Sequence, residues 1–104
     1  MPEEVVPYNF FMLPITESYY RAGAPEKANL IIEKLVDIYE DDLNYYLSLE
    51  GEYAEKTDNE KKRAMSVMQR LMTITKAYKQ EELAKDIEER FAKLQGDYMK
   101  AAPL

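Results

Sequence analysis

The clearest hydrophobic pattern begins at Glu26. On a wheel of about 100° per residue, Ala28, Ile31, Ile32, Leu35, Val36, Ile38 and Tyr39 share an arc of roughly 160°. Glu26, Glu33, Asp37 and Glu40 face the other way, and Leu30 stands alone among them. One face belongs in a core and the other in water. Leu43, Tyr46, Leu47, Leu49, Tyr53 and Ala54 keep nearly the same phase, and no proline or glycine interrupts residues 26–50. The pattern favours one long helix over 26–55, weakened at its end by Gly51, over a break near Glu40-Asp41-Asp42.

Other helices flank this one. Residues 1–8 carry Pro2 and Pro7 and read as an extended lead-in. Asn9 is placed to cap a helix running through Met12 and Ile15 to Tyr20, which either starts at Pro14 or kinks there. Gly23 suits the left-handed residue that ends it, and Pro25 fits the first turn of the next. Thr57-Asp58-Asn59-Glu60 reads as a capping box. It opens a helix whose apolar half holds Ala64, Met65, Val67, Met68, Leu71, Met72, Ile74, Thr75 and Tyr78. After a turn near Lys79-Gln80, Leu83, Ala84, Ile87, Phe91, Leu94 and Tyr98 form a last stripe. No strand pattern of period two intervenes. The expected fold is all-α: four amphipathic helices in two antiparallel hairpins, 9–55 and 57–98, with a tail over 99–104.

Charge and composition narrow the function. A chain of 104 residues is one domain. Its net charge of −6 argues against nucleic acid, because phosphate binding needs a Lys/Arg surplus. No stretch reaches the roughly 20 apolar residues that span a bilayer, so direct membrane insertion is not expected. The acidic start, Met1-Pro2-Glu3-Glu4, lacks the pattern of a signal peptide. Histidine and cysteine are both absent. The missing histidine removes the commonest general base and the commonest metal ligand together.

Tyr19-Tyr20-Arg21-Ala22-Gly23-Ala24-Pro25-Glu26-Lys27-Ala28 resembles the turn of a tetratricopeptide repeat (TPR), a helix–turn–helix unit of about 34 residues. The resemblance makes Tyr19 the aromatic packed into the hairpin, Gly23 the turn glycine and Ala28 the small residue that lets the helices approach. Thr16 departs from the small residue expected there, and Glu40 stands where a terminating proline is usual. Ala77-Tyr78 and Glu82-Leu83-Ala84 echo the motif, with a turn about two residues short and no glycine. The whole chain also resembles the C-terminal tail of large multi-pass membrane proteins of Bacteroidetes-type bacteria, whose N-terminal part is similar to protein O-mannosyltransferases. Tyr19 to Gly23, Tyr45 to Leu49 and Glu82 to Ala84 carry that likeness. It implies a bacterial domain attached to an inner-membrane protein and facing the periplasm, with any glycosyl-transfer chemistry lying outside this chain.

Candidate chemistry is sparse. Glu40-Asp41-Asp42 is dense in carboxylates but lacks the spaced ligands and glycine bend of a Ca²⁺ loop, so it reads as a solvated face. Ser18, Ser48 and Ser66 have no histidine to activate them, and Lys76 and Lys79 lie on or near a polar face. Lys61-Lys62-Arg63 reads as a solvated basic face. Met65, Met68 and Met72 belong to a core stripe rather than a promiscuous groove. Leu30 and Tyr45 fall on otherwise polar faces and are the candidate partner surface. No catalytic residue, metal or cofactor is expected. The expected function is a non-catalytic interaction or scaffolding module; the alternative is a soluble regulatory or stabilising domain of a membrane-embedded glycosyltransferase-like protein. About three repeats are normally needed for stability, so the expected partner is a second copy, another protein or a parent membrane domain.

Overall fold

The computed structural model describes residues 5–101, with side chains from Met12 to Lys100. Five helices follow one another: α1 Val5–Arg21, α2 Pro25–Leu47, α3 Glu52–Lys56, α4 Asp58–Ala77 and α5 Glu81–Ala101. α2 packs against α1, α4 and α5, and α4 packs against α5. The Cα envelope measures 47 × 25 × 15 Å. Its shortest dimension is that of two helix layers, since packed axes lie about 8–10 Å apart.

The core follows the sequence stripes. Ala28, Ile32, Leu35, Val36, Tyr39 and Leu43 of α2 meet Ala64, Val67, Met68, Leu71 and Ile74 of α4, with Ile87 and Leu94 of α5 and Leu13 of α1. Met65 and Met72 are half-buried against this cluster, as packing residues rather than groove residues. Two buried threonines need no partner from another element. Thr16 Oγ1 donates to the Met12 carbonyl at 2.7 Å, and Thr75 Oγ1 donates to the Leu71 and Met72 carbonyls. That bonding is how α1 carries a hydroxyl at a position where the repeat motif expects glycine or alanine.

Several boundaries differ from expectation. The helix begins at Val5, not Asn9, so residues 5–8 are helical rather than an extended lead-in; residues 1–4 lie outside the described part. Pro14 sits inside α1 rather than at its start. Its ring is exposed, and the cost is one backbone donor. At the other end α5 runs to Ala101, through the first half of the expected tail; residues 102–104 lie outside the described part.

The long second helix is two helices. α2 passes through Glu40-Asp41-Asp42 and stops at Leu47; α3 then restarts at Glu52. Ser48 and Leu49 turn their N–H groups back onto the carbonyls of Asn44, Tyr45 and Tyr46. Gly51 takes φ 64°, where an L side chain is strained. The reason is visible on the wheel. A continuous helix would carry the Glu50 carboxylate into the middle of the buried stripe, between the phases of Tyr46 and Leu43.

The capping box at Thr57 also does not form: Thr57 makes no side-chain cap bond to α4. Its hydroxyl donates backwards to the carbonyls of Tyr53 (2.8 Å) and Ala54 (3.2 Å), closing α3. Because α3 ends where α4 begins, one hydroxyl serves the unpaired carbonyls and leaves the N–H groups of α4 without it. Lys61 joins in. It is only 5% exposed, not part of a solvated basic face, and its Nζ donates to the Ala54 carbonyl at 2.9 Å.

The two tight turns are built alike. After α1, Ala24 N–H donates to the Tyr19 carbonyl (2.9 Å) and Gly23 N–H to that of Tyr20 (3.1 Å). After α4, Gln80 N–H donates to the Thr75 carbonyl (2.8 Å) and Lys79 N–H to that of Lys76 (3.1 Å). Both are Schellman closures with a left-handed residue at the same position, Gly23 at φ 81° and Lys79 at φ 61°. The second turn is therefore neither short nor dependent on glycine. Lys79 bears the strain that glycine avoids, so Lys79→Gly should raise stability by about 0.5–1 kcal/mol. The urea midpoint should rise with an unchanged slope.

Candidate functional site

Two regions gather the residues singled out by the sequence. The first lies where the two tight turns meet. Gly23 forms the turn and Ala28 is fully buried, while Tyr19 is half-buried against the core with the Lys27 ammonium 5.8 Å from its ring centroid. The neighbouring Tyr20 does more. It is nearly buried, and its ring stacks on that of Tyr78 with centroids 4.6 Å apart and planes 15° from parallel. Its hydroxyl donates to Asn29 Oδ1 at 2.5 Å, Asn29 Nδ2 donates to Gln80 Oε1 at 2.9 Å, and Gln80 Nε2 donates to the Tyr78 carbonyl at 3.0 Å. One chain of bonds thus ties α1, α2 and the α4–α5 turn together. Burial pushes the Tyr20 hydroxyl up to about 12. Sequence reading missed this clasp. Tyr20 and Tyr78 were visible as turn aromatics, but nothing in one dimension brings Asn29 beside Gln80.

The second region is the outer face of α2. Leu30 is 61% exposed and Tyr45 60% exposed, and both stand among polar residues. Glu26, Glu33 and Asp41 are exposed on the same helix. Tyr45 meets Tyr46 edge to face, with centroids 5.6 Å apart. Leu30 and Tyr45 lie about four turns apart along α2, roughly 22 Å at 1.5 Å per residue, so they are two separate exposed side chains rather than one patch.

The remaining candidates are absorbed locally. Ser18 Oγ donates to the Pro14 carbonyl and Ser48 Oγ to that of Tyr45. Lys76 pairs with Glu88 across α4 and α5 at 3.7 Å. In the acidic run Asp41 is exposed, while Glu40 and Asp42 are half-buried. Glu40 and Asp37 accept from Arg90 of α5 at 3.4 and 2.7 Å, and Asp86 pairs with the same guanidinium at 3.2 Å. The acidic helix is thus met by α5 rather than by the basic run of α4. Burial, and then the Asp41 carboxylate, hold Asp42 above the usual carboxylate range. Among the described residues, no three acidic side chains converge in a way that could hold a metal ion.

No protein-family model, curated protein or solved structure matches this chain. None of the described helices is long and apolar enough to cross a membrane.

Proposed function

We propose that this chain is a non-catalytic, TPR-like interaction or scaffolding module that meets its partner through the outer face of α2, with Leu30 and Tyr45 as contact points. The observation that carries the reading is the equivalence of the two tight turns. They share bond pattern and handedness, and each is followed five positions later by a buried alanine, Ala28 and Ala84. A small residue at that place lets two helices approach closely in both halves, as a repeat requires. The outer face of α4 is polar: Lys62, Ser66, Gln69, Arg70 and Thr73 are all exposed. Against those polar surfaces an exposed leucine and an exposed tyrosine are places where binding removes apolar area from water.

The test is a double substitution. Leu30→Ser with Tyr45→Ser should leave stability within about 0.5 kcal/mol, because neither side chain is buried. Capture of a partner from lysate of the source cells, followed by mass spectrometry, should weaken at least tenfold for the protein that wild type retains. Undiminished capture by a folded double variant would remove this face from the proposal.

The second reading is a soluble C-terminal domain of a membrane-embedded glycosyltransferase-like protein. It draws on the resemblance carried by Tyr19–Gly23, Tyr45–Leu49 and Glu82–Ala84. Immunoblotting of fractionated source cells separates the two readings. A band far above 12.2 kDa in the membrane fraction supports the appendage, and a small band in the soluble fraction supports the free module.

A further inference from the structure

We draw no further inference here: the strongest candidate, the acid–phenol cluster of Asp42, Tyr46 and Glu60 where α2 packs on the start of α4, offers two carboxylates and a buried hydroxyl, and nothing in the structure shows what ligand would join them.

Discussion

Leu71→Ala should cost about 3 kcal/mol of folding stability, within the 2–5 kcal/mol typical of buried leucines. Leu71 is fully buried in α4, the helix that touches both α2 and α5, and it belongs to the core cluster. Truncation loses the transfer free energy of three carbons and leaves a cavity. Helices on two sides must move together to fill that cavity, which favours the middle of the range. A domain of this size has about 5–15 kcal/mol in all, so a loss of about 3 kcal/mol is a substantial share of its stability. Equilibrium urea unfolding at 25 °C, followed by far-ultraviolet circular dichroism, measures it directly. A loss below about 1 kcal/mol would mean that the space around Leu71 collapses freely and that α4 is not held between its neighbours. Leu30→Ala is the control, expected to fall within about 0.5 kcal/mol of wild type.

Tyr20→Ala should be about as damaging, at roughly 3–4 kcal/mol, but its signature should differ. It removes the stack on Tyr78, which joins the end of α1 to the α4–α5 turn, and the hydroxyl that donates to Asn29 of α2. α1 leans chiefly on α2, so amide exchange in α1 should accelerate before that of α4 and α5. Uniform acceleration across all helices would show that α1 is not a separable unit. Tyr20→Phe keeps the ring and should cost only about 1 kcal/mol, the worth of one hydrogen bond.

The tyrosine hydroxyls also set the alkaline limit of stability. Burial raises Tyr20 to about 12, and burial together with the Asp42 carboxylate raises Tyr39 to about 12, against an ordinary value of 10.0. Folding then holds protons that the unfolded chain releases. The stabilisation is fully present below pH 10, declines as pH rises from 10 and is lost through the folded value near 12. Urea midpoints between pH 9 and 12 should fall for wild type and fall less steeply for Tyr20→Phe. An identical slope in the two proteins would show that Tyr20 ionises as freely in the folded state as in the unfolded one.

The places where sequence reading stopped are specific. Periodicity located the core faces of α2, α4 and α5 because burial imposes a repeat that any helix must show. It misjudged residues 48–56. Apolar phase continued there through Leu49, Tyr53 and Ala54, yet a single glutamate in the buried stripe and a glycine able to turn the chain outweigh them. The Thr57 box was a sound local signal, defeated because the preceding turn formed a helix of its own and claimed the hydroxyl first. Lys61 looked like one of three surface cations. Only the arrival of the Ala54 carbonyl in three dimensions gives its ammonium a part-buried acceptor. The turn at Lys79 was hidden for another reason. A left-handed residue costs little enough that tertiary packing can impose it on a lysine, so the absence of glycine was not evidence against the turn.

By itself, the sequence determined that this protein is helical, where the core stripes of α2, α4 and α5 lie, and that neither histidine nor cysteine is available for chemistry. Those properties follow from residue type and from spacing along one chain. The tertiary structure alone decided that the described residues form five helices, that Asn29 and Gln80 meet across 51 positions, and that Arg90 draws Asp37 and Glu40 onto α5. Hydrogen bonds and ion pairs between distant residues exist only once loop closure and burial have fixed which side chains meet, and that choice is made by the packed whole.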